Sequence, residues 1–175
     1  MNAVLLAIEP NDLEILMLEA QSIDEIYHAP SIRSKLNLGE TWQSLQFLLT
    51  RSAKQHQDSP LVFAIEAEYA FAHPALAVAS VRYNPVVEVE EIAKELDTIS
   101  TEQFKHQFDP EQLNQNKLFP FHWGRDVEKE QAELAMLFVQ LKNFYELAKQ
   151  HNYAVISLHS QQIMSDVYYM TQASS

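Results

Sequence analysis

Between residues 81 and 160 the chain is punctuated so densely that a succession of elements can be read off it. Asn84 and Pro85 open a helix, with Val86, Val89, Ala93 and Leu96 on one face. Ser100 and Gln103 have capping-box spacing and start a short helix carrying Phe104 and Phe108 one turn apart. Asp109, Pro110 and Gln112 start another. Residues 118–123 form an aromatic connection broken by Pro120 and Gly124. The longest element follows, over residues 126–151, with Leu134, Leu137, Phe138, Leu141, Phe144, Tyr145 and Ala148 as a wide apolar stripe. Glu128 and Glu130 at its start and Lys149 near its end match the helix dipole. Asn152 suits a left-handed cap, and residues 153–158 read as an apolar strand.

The first half is less sharply marked. Residues 3–8 are an apolar run bounded by Pro10, too short for a helix and therefore a buried strand. Asn11 is expected to cap a helix with Glu14 at N3, and Leu13, Leu16, Met17 and Ala20 give its stripe. Ser22 and Glu25 form a second capping box, with Ile23 and Ile26 on the buried side and Pro30 as the stop. Residues 31–38 read as a polar connection. Over 40–50 the spacing of Trp42, Leu45, Leu48 and Leu49 is helical, and a basic, polar loop follows. Ser59 and Pro60 mark a helix start, and the pattern beyond them favours a helix over a strand. Residues 77–82 are apolar and partly β-branched, bounded by Pro74 and Asn84, and read as a central strand.

Three strands and about seven helices predict an α/β fold. It is a helix-rich single domain over 1–160, with a small mixed sheet of three or four strands flanked by helices. With only two glycines, Gly39 and Gly124, a β-rich fold is disfavoured, because its turns need positive φ. The tail, 161–175, fits either a short helix or a strand.

The chain has 24 acidic and 12 basic residues, a formal net charge of -12. Such a surface repels phosphate backbones and anionic lipid, so neither nucleic acid nor a membrane is an expected partner. It would attract a basic protein and speed their encounter, though acidity also serves solubility. There is no cysteine, hence no disulfide and no thiolate site, which fits a reducing cytoplasm. The opening residues lack a basic n-region, and the expected location is cytoplasmic.

No P-loop, dinucleotide fingerprint, nucleophile elbow or HExxH is present, and two glycines cannot build a phosphate cradle. No cofactor is implied. Seven histidines, at 28, 56, 73, 106, 122, 151 and 159, are widely spaced without a helical i, i+4 pair, so capping or surface roles are expected and no metal site. The most pointed pair is Arg82 with Tyr83, at a strand end just before a helix start, where ligands of α/β proteins gather and anions are favoured. Arg82 either holds a carboxylate or phosphate, or ties the strand end to a helix C-terminus or a buried acid. Trp42, His122 and Trp123 are candidates to line the same cleft, with core packing as the alternative for the tryptophans. Glu88, Glu91 and Glu95 share one helix face opposite the apolar stripe, a candidate acidic face for a partner or simply a solvated one.

The order of Arg82-Tyr83, Glu90-Glu91, Phe108-Asp109-Pro110, Pro120, Trp123, Phe144-Tyr145 and a terminal apolar strand resembles the YfbM-like family of bacterial proteins. In the first half, TWQSLQFLLT looks like the family's tryptophan-containing helix and SPLVFAIEAE like its Pro-Leu segment. The resemblance covers about residues 1–160 and implies a three-layer α/β arrangement with no assigned activity. The chain departs from it at Gln46, where the family often has His, and at Arg51, Ala67 and Glu68, where it often has Gly. Two functions follow as expectations. One is a non-enzymatic acidic module that binds another protein, for example an immunity-type inhibitor. The other is a small-molecule enzyme or sensor with an anion-binding pocket around Arg82.

Overall fold

The computed structural model describes residues 1–53 and 58–160; the loop around His56 and the tail 161–175 lie outside the described residues. The centre of the fold is β1 (Asn2–Ile8), in which all seven residues are buried. β1 pairs on one side with β2 (Ser34–Gly39) and on the other with β5 (Ala154–Ser160). β5 pairs in turn with β4 (Arg82–Asn84), and β4 with the two-residue β3 (Tyr69–Ala70). The order is β2-β1-β5-β4-β3, and every pairing is antiparallel. The sheet is therefore antiparallel rather than mixed, with five strands among the described residues instead of three or four.

Alternation along β1 and β5 explains why the sheet is covered on both faces. Ala3, Leu5, Ala7 and Val155 face one core, while Val4, Leu6, Ile8, Ala154, Ile156 and Leu158 face another. The first core is built by α3 (Trp42–Ser52), α5 (Val86–Asp97), α6 (Thr101–His106), α7 (Pro110–Gln115) and α8 (Val127–Gln150). The second is built by α1 (Pro10–Glu19), α2 (Ile23–Tyr27) and α4 (Pro74–Val78). These are three layers, helices on sheet on helices.

The second half follows its punctuation closely. Ser100 and Gln103 form a reciprocal capping box, and Asp109 and Asp126 cap α7 and α8. Leu134, Phe138, Leu141, Phe144, Tyr145 and Ala148 are the buried stripe of α8, with Phe138 stacked on Phe104 at 4.5 Å. Asn152 takes φ 56°, and Tyr153 N–H returns to the Ala148 carbonyl at 2.8 Å, closing the helix with a left-handed cap.

Five readings change. Most of residues 31–38 belong to β2, whose exposed Lys35 and Asn37 alternate with inward Leu36 and Leu38; it is an edge strand, so its polar side faces water. Residues 77–82 are not a strand. Pro74 starts α4, His73 Nδ1 accepts from the Ala75 N–H, and the chain turns through Ser80 at φ 59° before β4 begins at Arg82. Val78, an apolar residue of that run, is 86% exposed. α1 starts at Pro10, whose fixed φ suits the first helical position, and Asn11 is not its cap. The helix after Pro60 is a single 3-10 turn, Pro60–Phe63, capped by Ser59. In the Ser22 box, Ser22 does cap Glu25, but the Glu25 carboxylate accepts from the Gln21 N–H instead of returning to Ser22.

Candidate functional site

The segment between the 3-10 turn and β3 has little regular structure, so its backbone groups must find partners elsewhere. Distant side chains supply them. Asn84, fully buried, donates Nδ2 to the Phe63 carbonyl at 2.8 Å and accepts the Glu68 N–H at 3.0 Å. Ser157 Oγ accepts the Ala67 N–H at 3.0 Å, and the Tyr145 hydroxyl donates to the Ala64 carbonyl at 2.6 Å. Burial pushes the Tyr145 hydroxyl well above the usual tyrosine range, so it stays a donor. Arg82 donates Nε to the Ala67 carbonyl and Nη2 to the Glu68 carbonyl. Arg82 thus ties its strand to two carbonyls, and among the described residues neither a helix C-terminus nor a buried acid is its partner. Ala67 and Glu68, where the family often has Gly, both lack positive φ, so this close approach does not need glycine.

Two cavities meet at this end of the sheet. One, of about 330 Å³, is bordered by Val62, Phe63, Glu66, Ala67, Ser80 and Arg82. The other, of about 510 Å³, shares Glu66 and Ser80 and adds Met1, Ile23, Trp42, Gln43, Val78, Ala79 and His159. It lies where β4 stops short: Arg82 pairs with Ser157, and among the described residues no strand pairs with β5 beyond Ser157 on that side. Trp42 is fixed there by its Nε1–H bond to the Met1 carbonyl at 3.2 Å, and its ring meets His159 at 4.5 Å, edge-on. His159 is 8% exposed and its Nε2 has no hydrogen-bond partner. Burial lowers its pKa to about 4, so the imidazole is neutral at pH 7. The Met1 ammonium lies 3.6 Å from Glu40. Glu66 is exposed at the border of both cavities and has no ion pair among the described residues.

Trp42 and Arg82 therefore do border adjoining cavities, but His122 and Trp123 border neither. His122 is exposed. Trp123 is a core residue: Asn114 brackets its backbone with bonds of 2.7 and 2.8 Å, its Nε1–H donates to the Leu118 carbonyl, and Phe108 meets its ring edge-on. His159 was expected in a surface or capping role, which His151 does take at the end of α8. Period-two alternation through Val155 and Ser157 is the signal that places His159 inward.

At the far edge of the sheet lies the acidic face. Glu88 and Glu95 are half-buried on α5 and Glu91 is exposed. Burial, the charge and hydrogen bond of Glu68, and then Glu91 raise the Glu88 carboxyl above its ordinary pKa. Chiefly Glu68, then burial, Glu88 and Tyr83 push the neighbouring Tyr69 hydroxyl up. Sequence reasoning missed Glu68 and Tyr69, because β3 was hidden in a segment read as helix. Tyr69 is 43% exposed and stands 5.6 Å from the Tyr83 ring, and Val87, beside Glu88 on the first turn of α5, is 67% exposed. Among the described residues no three ligating side chains converge as for a metal, and no helix is long and apolar enough to cross a membrane.

The layers and strand order have a counterpart of known structure. The crystal structure of a protein of unknown function, YfbM from Escherichia coli, superposes with a TM-score of 0.69 at 16% sequence identity, covering 91% of this chain and 100% of that one. At that identity the likeness speaks for the fold alone. A comparison with curated proteins finds no match. A family model described as a domain of unknown function, DUF1877, matches residues 1–158, from the start of β1 almost to the end of β5. All but the last two described residues, including the acidic edge and every residue bordering the cleft except His159, thus fall within the match, and the chain belongs to the DUF1877 family.

Proposed function

We propose that this protein is a non-enzymatic binding module that engages a basic protein through the acidic edge formed by β3 and α5. The carrying observation is the crowding of Glu68, Glu88 and Glu91 with no compensating cation: no ion pair among the described residues reaches any of them. The Glu88 carboxyl, whose pKa is raised by burial and by its acidic neighbours, is ionised at a free-energy cost, which an approaching lysine or arginine relieves. The exposed Tyr69 and Val87 beside them supply apolar contact area, and tyrosine with a charged rim is the usual composition of such a patch. The excess of acidic residues favours fast encounter with a basic surface. An immunity-type inhibitor of a basic toxin is one form this module can take. The rival reading, an anion pocket at Arg82, is weaker because two of the guanidinium's donors already serve Ala67 and Glu68.

The test is a titration with a lysine- and arginine-rich peptide, followed by amide chemical shifts at low and high salt. Saturable shifts centred on Glu68, Tyr69, Tyr83, Glu88 and Glu91, weakened by salt and by joint substitution of Glu88, Glu91 and Glu95 to Gln, are expected. Shifts centred elsewhere, or untouched by the substitutions, overturn the reading.

A further inference from the structure

Between α2 and α4 an apolar groove runs to the end of β5, and none of the acidic-edge residues borders it. We propose that this groove is the docking surface for the chain's own C-terminal segment, residues 163–170.

The argument starts from α4. Its five residues, Pro-Ala-Leu-Ala-Val, include no polar side chain. A helix that is apolar all round belongs inside a protein. Yet Leu76 alone is buried, while Ala75, Ala77 and Val78 are exposed, Val78 at 86%. Two clefts flank this face. One, of about 460 Å³, has residues 21–24 on one side and Ala75, Leu76 and Ala79 on the other. The second is the cleft of about 510 Å³ at the end of β5, which shares Ile23 and Ala79 with the first and adds Val78 and Trp42. Joined at those two residues, they make one groove with apolar walls and a polar rim that includes Gln21, Asp24 and Gln43.

The course of the chain identifies the occupant. His159 borders the groove, and β5 ends one residue later, at Ser160. In the residues that follow, Ile163, Met164, Val167, Tyr168, Tyr169 and Met170 are apolar or aromatic, and Asp166 carries the one charged side chain. Segments that remain in water are rich in charge and poor in aromatics, the reverse of this composition. An extended chain covers roughly 3.3 Å per residue, so Ile163 lies within roughly 10 Å of Ser160 and Met170 within roughly 33 Å. The segment therefore starts at the groove and is long enough to follow it past α4. Methionine adapts to an irregular apolar wall, and tyrosine buries its ring while its hydroxyl reaches a polar rim. Tethering also gives the segment an effective concentration on the order of millimolar at the groove, which a free partner has to exceed.

The test uses the full chain. It has no cysteine, so Ser165→Cys gives a single attachment point for a paramagnetic label. The label should cause its largest loss of signal at Ile23, Ala75, Val78 and Ala79, with Tyr69, Glu88 and the outer face of α8 spared. Joint substitution of Met164, Val167 and Tyr168 to Asp should restore those signals. Val78→Asp, at an exposed position, should restore them from the groove side. Unchanged signals along α5 and α8 would show that both variants keep the fold. Loss of signal spread evenly over the surface, or centred elsewhere, overturns the proposal, as does a pattern that neither variant alters. The remaining occupant is a second copy. Labelled chains without isotope are mixed with isotope-enriched chains that carry no label, and the groove signals of the latter should be unaffected. Loss of signal at Ile23 and Val78 in that mixture would place the segment in another copy's groove and overturn docking within one chain.

Discussion

The stretch from α5 to α8 and the segment from Ser59 to Asn84 hold their backbones by different means. In the first, each helix makes its own hydrogen bonds, and short-range caps close the ends, as at Ser100, Asp109 and Asp126. In the second, Asn84, Ser157, Tyr145 and Arg82 bond to the backbone of residues 63–68 from as far as 90 positions away in sequence. The first depends on apolar burial along a stripe, the second on a few polar side chains with no substitute nearby. Both candidate sites border the second region: the cleft through Glu66, and the acidic edge through Glu68 and Tyr69. Function there would rest on a few polar supports, each without a substitute, while global stability rests on the helical stretch.

The hardest test of that division is Leu141→Ala. Leu141 is fully buried in the α8 stripe, so removing it should cost about 2–5 kcal/mol in a denaturant titration. The loss should be global, reducing hydrogen-exchange protection in β1 and β5 as well as α8. A cost below about 0.5 kcal/mol would place the stripe outside the core and dissolve the comparison.

The same division explains what could be read in the sequence. α5, α6, α7 and α8 were legible because caps and apolar period lie within each element. β1 and β5 were legible because both faces are buried and their runs are continuous. Residues 74–82 misled because an apolar run does not say whether it is helix or strand: Pro74 and His73 start a helix, and the strand begins where the apolar run ends. β2 was missed because an edge strand keeps one polar side. Of the candidate site, Arg82 and Trp42 were visible as types, but their partners were not, since the Ala67 and Glu68 carbonyls carry no side-chain signal. His159 was visible only through alternation along β5.

A second test concerns pH. His159 in the folded chain has a pKa of about 4, against an ordinary value of 6.5. The unfolded chain therefore binds more protons than the folded one between these values, and stability rises with pH across that window. The His159 share of stability should fall as pH drops from 6.5 to 4 and change no further below it, by at most about 3 kcal/mol. Comparing wild type with His159→Phe by denaturant titration at several pH values isolates this share. Equal slopes in the two proteins would show that the ring protonates freely, and the cleft wall would not be dry.

Arg82→Ala should act locally and more mildly, because it leaves two carbonyls short of a donor and no buried charge behind. A cost of about 1–3 kcal/mol is expected, with faster amide exchange at Ala67, Glu68 and Tyr69 and little change along α8. Arg82→Lys should recover only part of it, since one ammonium cannot reproduce the fork that reaches both carbonyls. Added phosphate or citrate should not raise the wild-type melting temperature. A melting rise with those anions would return Arg82 to a ligand role.

The smallest effect should have the opposite sign. Glu88 is half-buried on α5, and its carboxyl is held above its ordinary pKa by burial and by Glu68, then Glu91. A carboxyl whose folded pKa is raised binds more protons folded than unfolded, so its presence costs stability as pH rises through that pKa. Glu88→Gln removes the repulsion and keeps the shape. It should therefore raise stability at pH 7, by less than about 1 kcal/mol because the group is partly in water. For a chain of this length that is a melting rise of no more than about 2–4 °C. The gain should shrink as pH falls and Glu88 protonates in the wild type, and it should shrink in high salt. A basic partner, by contrast, should bind Glu88→Gln more weakly than wild type. One substitution that stabilises the free protein while weakening its complex is the signature of charge held for a partner. A loss of stability at pH 7 would show instead that Glu88 serves the fold, and the acidic edge would join the helical stretch as a structural element.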